Sequence, residues 1–346
     1  MKSYLSNRRQ GVKGGEYVSR DENVTFGVPQ GSVLGPTLFL LYINDLCNIT
    51  LEMGNIFSYA DDTAVVFSGN SWEDVRNRAE NGLTKISQWL SMNILTLNAA
   101  KTNFICFSLK TSTQPEQDLK VKIHNAESTE CRNDGCACPA IKRVNSVKYL
   151  GITIDQTLSW HPHLDLLSGR IRKLIFIFKT LRHVANKDLI NKIYVALAQS
   201  ILVYCIPAWG GASKTKYLEL ERAQRSLLKV MHFKPYRFST TELYRFCSLL
   251  SIRKLYILNS ILKVHKTLKL DYNLLNKRRY SPAPSRTTKT YFARRQFNVQ
   301  SAYLYNKINI FLHIYPMNKY DCKNATTQWL KSISYDETES FMAKIS

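Results

Sequence analysis

NIFSYADDTAVVFS, residues 55–68, sets two short apolar runs on either side of a pair of adjacent carboxylates, Asp61 and Asp62. Two short apolar runs around a polar tip predict a β-hairpin. In a regular strand neighbouring side chains point to opposite faces. Two consecutive carboxylates therefore reach one site only where the backbone turns. Such a pair is either a solvated acidic turn or part of a cation site. Mg²⁺ takes oxygen ligands and keeps several waters, and a pair of such ions can clamp the attacking and leaving oxygens of a phosphoryl transfer.

Upstream stands GVPQGSVLGPTLFLLYINDL, residues 27–46. Gly and Pro break the chain, Pro36 suits a first helical turn, and Leu38, Leu41, Tyr42 and Asp45 recur at helical spacing, which predicts a helix to about Leu46. Downstream, Ser71 is placed to cap a helix with Asp74 at its third position. Trp72, Val75, Ala79, Leu83, Ile86 and Leu90 mark one face of that helix. Residues 103–109 and 147–155 read as strands, with a polar insertion at 110–143 between them. Beyond Trp160 the pattern is helical, with helices expected at 163–184, 187–204, 213–232 and 240–268. Residues 277–295 read as a basic loop, and a weaker helical pattern follows from about 298.

The chain carries 48 Lys and Arg against 26 Asp and Glu, a net charge of +22, which points to a polyanionic partner, most often nucleic acid. Hydrophobic residues make up 45%, enough for a packed core. The eight cysteines are scattered, so they are read as reduced thiols rather than a disulfide scaffold. MKSYLSNRRQ has no apolar core of a secretory signal, and the longest apolar stretch, Ile193 to Trp209, reads as a buried helix rather than a membrane span. An intracellular protein, in nucleus or cytoplasm, is expected. Cys131, Cys136 and Cys138 lack paired zinc-ligand spacing and are expected to bind no structural metal.

Four blocks stand in order: Gly27 to Pro36, Tyr59-Ala60-Asp61-Asp62, Leu97-Asn98-Ala99-Ala100-Lys101-Thr102, and Tyr149-Leu150-Gly151. The set resembles the palm of reverse transcriptases. Its wording is similar to that of LINE-type, non-LTR retrotransposons, insect-like elements in particular, over about Tyr4 to Asp155. The helical stretch that follows is similar to the thumb and connecting region of such elements.

The resemblance implies an α+β fold: a partial polymerase palm of antiparallel strands with helices over 1–158, a helical thumb over 159–270, and a basic linker with a C-terminal helical region over 271–346. It implies an RNA-directed DNA polymerase that uses dNTPs, an RNA template, a DNA primer and Mg²⁺. Asp61 is then a Mg²⁺ ligand, and Asp62 supports the same site. Gln30, Gly31, Ser32 and Tyr59 lie beside template and nucleotide. Lys101 approaches the triphosphate and can protonate the leaving pyrophosphate. Tyr149, Leu150 and Gly151 hold the primer end, and Arg170, Arg172 and Lys173 neutralise backbone phosphates. Each has a plainer reading too: a helix-entry turn for the glycines, a surface lysine for Lys101, a core strand for Leu150, and a solvated face for the basic trio.

One block of the family pattern has no counterpart. A strand carrying a further Asp is expected before Met1, and Asp21 sits in a polar loop that does not replace it. The sequence thus reads as cut off upstream, without fingers or endonuclease, and as inactive on its own. The rival reading is a non-catalytic nucleic-acid-binding remnant. A group II intron-type maturase fits the wording of Gly27 to Leu46 less well.

Overall fold

The computed structural model describes residues 2–25, 27–29, 31–108, 113–116, 118–124, 138–270, 281–284, 288 and 290–343. The chain forms two compact units: Met1–Cys106 with Thr113–Val144, and Phe107–Ser112 with Asn145–Ser346.

The first unit opens with a short helix, α1 (Lys2–Leu5), and four two-residue strands: β1 (Arg9–Gln10), β2 (Lys13–Gly14), β3 (Tyr17–Val18) and β4 (Glu22–Asn23). They nest as antiparallel ladders, β2 on β3 inside β1 on β4. Helix α2 (Gly35–Ile43) has Pro36 in its first turn and ends earlier than its apolar spacing predicts. The chain tightens there into a 3₁₀ segment, Asn44–Asn48. Strands β5 (Gly54–Tyr59) and β6 (Asp62–Phe67) form the expected hairpin. Helix α3 (Trp72–Met92) begins as predicted, with the Ser71 side chain accepting the Asp74 amide at 3.1 Å.

Ile56, Val65 and Phe67 turn inward onto Leu46, Leu51 and Ile86, a small apolar cluster closed by Trp89 and Leu90 of α3. A second cluster lies nearer the start of the same helix, where Ala79 and Leu83 meet Val121, Ile123 and Ile141. The strand expected at 103–109 is only β7 (Asn103–Phe104). The insertion read as loop holds β8 (Val121–Lys122) and β9 (Ala140–Arg143), which complete a three-stranded sheet in the order β7-β9-β8. These strands are too short for an alternating pattern to show in a polar stretch.

In the second unit, the segment 147–155 is two strands rather than one. β10 (Ser146–Tyr149) and β11 (Ile152–Asp155) pair across a two-residue turn at Leu150 and Gly151. Then come α4 (His161–Leu181) and α5 (Lys187–Tyr194), a π-helical stretch at Val195–Gln199, α6 (Ser200–Val203) and α7 (Ile206–Trp209). Tyr194, Ala198, Leu202, Ile206 and Trp209 recur every three or four residues and are all fully buried. That stripe accounts for the apolar run, and among the described residues no helix is long and apolar enough to cross a membrane.

Helix α8 (Lys214–Met231) packs along α4. The single helix expected at 240–268 is two, α9 (Thr240–Cys247) and α10 (Ile252–Leu270), separated where Ser248 adopts a left-handed φ of 53°. The C-terminal region holds α11 (Tyr291–Arg294), α12 (Phe297–Leu312), α13 (Lys319–Ser332) and α14 (Tyr335–Ala343). Leu304, Tyr305 and Ile308 of α12, with Leu330 of α13, join one apolar core with α4, α8 and α10.

Candidate functional site

The hairpin β5–β6 sets the geometry around the two carboxylates. Tyr59 pairs with Asp62, so Ala60 and Asp61 form the turn, and Asp62 is the first residue of β6 rather than part of the tip. Paired residues in an antiparallel ladder share a face. Tyr59 and Asp62 therefore stand together, with Phe57 and Ala64 next on the same side. Ala60 holds a φ of 52°, a left-handed conformation that a side chain disfavours. The reversal brings both carboxylates to one end of the hairpin. Asp61 and Asp62 are exposed, and neither has an ion-pair partner among the described residues. Tyr59 is 68% exposed and Phe57 54%, so the face beside Asp62 carries uncovered rings.

Near the α2 entry, Gly31 takes a φ of 79°, and the Ser32 hydroxyl accepts the Gly35 amide at 3.1 Å. Ser32 thus satisfies a helix-entry donor. Gln30 lies outside the described residues. Lys101 sits in a turn closed by Asn98, whose side chain accepts the Lys101 amide at 3.2 Å while its carbonyl accepts the Thr102 amide at 3.0 Å. The lysine is exposed, and no hydrogen bond or ion pair among the described residues joins it to Asp61, Asp62 or Ser32. Cys131 and Cys136 lie outside the described residues, and Cys138 is half-buried just before β9.

In the second unit, Tyr149 ends β10, and Leu150 and Gly151 form the turn to β11. Leu150 and Gly151 take φ values of 44° and 84°, the paired left-handed angles of a two-residue hairpin turn. Sequence reasoning did not single out Tyr204, yet it buttresses this turn. Its hydroxyl donates to the Leu150 carbonyl at 2.6 Å, and a Cβ at Gly151 would come within 3.2 Å of its ring. Tyr204 lay hidden in a stretch that reads as plain core. Gly151→Ala meets both an unfavourable φ and that ring. It is expected to lower stability by about 1–2 kcal/mol, read from the urea midpoint; an unchanged midpoint would show that the turn yields freely.

The hairpin is tied to α4 through Asp155. Its carboxylate accepts from the Thr157 hydroxyl at 2.6 Å, from the Ser159 hydroxyl at 2.9 Å and from the Trp160 amide at 2.7 Å. Burial works against its charge, but those bonds hold its pKa below the ordinary value. His163, buried in the first turn of α4, accepts the Thr153 amide on Nδ1 at 3.3 Å. Burial first, and then the charge of Arg170, bring its pKa down to about 4, so it stays a neutral acceptor near pH 7. Further along α4, Arg170, Arg172 and Lys173 are all exposed and have no carboxylate partner among the described residues.

Residues 2–154 match the family of reverse transcriptase (RNA-dependent DNA polymerase). Over these residues the chain is similar to reverse transcriptases. Curated relatives from Drosophila melanogaster include the probable RNA-directed DNA polymerase from transposon BS, 29% identical over 257 residues, and that from transposon X-element, 27% identical over 251 residues. The RNA-directed DNA polymerase from mobile element jockey is 26% identical over 254 residues. Each alignment covers 71% of this chain and 26% of the relative, so the chain spans about a quarter of the length of these proteins. No solved structure matches the chain significantly.

Proposed function

We propose that this chain forms part of an RNA-directed DNA polymerase of a non-LTR retrotransposon, joining dNTPs to a primer 3′-hydroxyl on an RNA template in the nucleus or cytoplasm. One observation carries the reading: the turn at Ala60 and Asp61 sets two bare carboxylates at one end of a hairpin, inside the matched family region. Their hard oxygen donors fit Mg²⁺, which needs only one or two carboxylates besides water and substrate phosphate. No group of three or more acidic, His or Cys side chains that could hold a metal occurs among the described residues. Asp61 and Asp62 are therefore one strand-pair's share of such a site. When bound, the ion supplies charge stabilisation to the reacting oxygens.

The other assignments follow the same reading. The first unit contributes palm, with Gly31, Ser32 and Tyr59 beside template and nucleotide and Lys101 toward the triphosphate. Tyr149 to Gly151 hold the primer end, and α4 lies along the duplex as thumb. Among the described residues no further acidic side chain joins Asp61 and Asp62 in a metal-holding group, and residues 1–346 by themselves are expected not to extend a primer. Joined to the preceding segment of a close relative, they are expected to support Mg²⁺-dependent extension on an RNA template. A joined chain that is folded but inert, across several junctions, would overturn the reading.

The exposed basic trio on α4 gives a second test, independent of chemistry. Binding of a primer–template duplex is expected to weaken steeply with salt, and replacing Arg170, Arg172 and Lys173 with Ala flattens the slope of log K against log salt by about 2–3. A slope unmoved by the triple change would remove α4 from the nucleic-acid path.

A further inference from the structure

A second cationic surface lies at the far end of α4, outside every motif used above. Arg182 sits with its guanidinium carbon 4.2 Å from the centre of the Phe233 ring. Two ammonium groups share one ring: Lys187 is 4.1 Å and Lys234 4.0 Å from the centre of Phe246. Lys229 stands 5.6 Å from the Tyr236 ring and also donates to the Tyr236 carbonyl. Rings thus hold cations together that would otherwise repel. Asp188 of α5 and Glu242 of α9 are exposed and form no ion pair with these cations among the described residues. The charge is felt locally: burial, with Lys187 and Lys234 adding to it, brings the pKa of His232 down to about 4.

The connection from α8 to α9 presents the aromatic half of this surface. Lys234 donates its amide to the Lys229 carbonyl, and Phe238 donates to the Pro235 carbonyl at 3.0 Å, which closes a turn with Tyr236 and Arg237 at its tip. Tyr236 is 90% exposed and Phe233 57%. A large ring held on a braced turn with nothing covering it is a flat apolar face surrounded by positive charge. Duplex phosphates need only the charge. The rings add something for a partner whose bases are unstacked, because every base has a π-face that stacks on an aromatic side chain.

We infer that Arg182, Lys187 and Lys234, with Tyr236 and Phe233, form a binding site for an unpaired nucleic-acid strand, in which phosphates meet the cations and a base stacks on Tyr236. The inference rests on the reading above only in taking nucleic acid as the polyanion.

The test is fluorescence anisotropy with the whole 346-residue chain, titrated against a short labelled oligouridylate and against a blunt duplex at several salt concentrations. Tyr236→Ala removes an exposed ring, so the fold is kept, and oligouridylate binding is expected to weaken about tenfold while duplex binding changes less than about twofold. Tyr236→Trp restores or tightens the single-strand affinity. Changing Lys187 and Lys234 together to Gln lowers the single-strand salt slope by about 1.4. If Tyr236→Ala binds oligouridylate as the unaltered chain does, while the Arg170, Arg172 and Lys173 variant still loses duplex affinity, this site is refuted and the polymerase reading stands. If the unaltered chain binds neither probe at low salt, both fall. Equal competition by polyglutamate would show a surface for any polyanion and also refute the site.

Discussion

Asp61→Asn is expected to abolish primer extension by the chain joined to a relative's preceding segment, with a loss of at least about a thousandfold and folding and template binding intact. The size follows from where the charge sits. Nucleotide addition builds negative charge on oxygens that divalent ions must neutralise, and an amide cannot replace a carboxylate as an anionic ligand. The hairpin gives no neighbour able to take over. Asp62 is the first residue of β6 and pairs with Tyr59 on one face, whereas Asp61 occupies the turn itself. The two carboxylates are therefore not interchangeable, and Asp62→Asn is expected to retain part of the activity. Both side chains are exposed and unpaired among the described residues, so neither change disturbs packing. Extension of an RNA-templated primer with dNTPs and Mg²⁺ checks this. A joined chain indifferent to Asp61→Asn would refute the metal assignment, and robust extension by residues 1–346 alone would refute the need for a second acidic strand.

The hairpin around these residues was legible because two short apolar runs flank a polar tip, and Ile56, Val65 and Phe67 share its inner side. The turn fell one residue earlier than the acidic pair suggests, because Ala60 takes a left-handed angle that composition does not advertise. Leu150 hid the β10–β11 turn for the same reason: a bulky apolar residue with φ of 44° reads as strand interior. Between α9 and α10 no Gly or Pro marks the break, and the apolar pattern runs on through Leu249 and Leu250. The weak helical pattern after residue 298 has a different cause. Helix α12 buries Gln300, Ser301, Asn306 and Asn309 along with Leu304 and Ile308, while Tyr303, Ile310 and Phe311 stand exposed. A helix that buries polar groups and exposes apolar ones has no amphipathic stripe to read. Its polar side chains are matched one by one instead. Asn306 bonds both the amide and the carbonyl of Ala283, Gln300 accepts the Tyr256 hydroxyl, and Asn309 accepts the Tyr315 amide. Such pairings join residues far apart in sequence, and no local pattern announces them.

Gln224 shows how much can depend on one such pairing, and Gln224→Leu is expected to destabilise the second unit by about 3–5 kcal/mol. The side chain is fully buried on α8 and uses both ends. Its amide donates to the Tyr194 hydroxyl at 2.8 Å and to the Leu250 carbonyl at 3.1 Å. Its carbonyl accepts the Tyr244 hydroxyl at 2.8 Å and the Ile252 amide at 3.1 Å. Leucine nearly matches the shape but strands four polar groups away from water, and each unpaired buried group costs about 1–3 kcal/mol before relaxation. Two of the four belong to the backbone that joins α9 to α10, where the chain has no regular helical bonds to fall back on. The loss should therefore appear first as opening of that connection, with early hydrogen exchange at Ile252, and then as a lower urea midpoint. Tyr244→Phe removes only one partner and is expected to cost about 1 kcal/mol, which separates the network from the packing of the rings. A Gln224→Leu midpoint indistinguishable from that of the unaltered chain would mean that water reaches these groups and that the four bonds do not hold α5, α8 and the α9–α10 connection together.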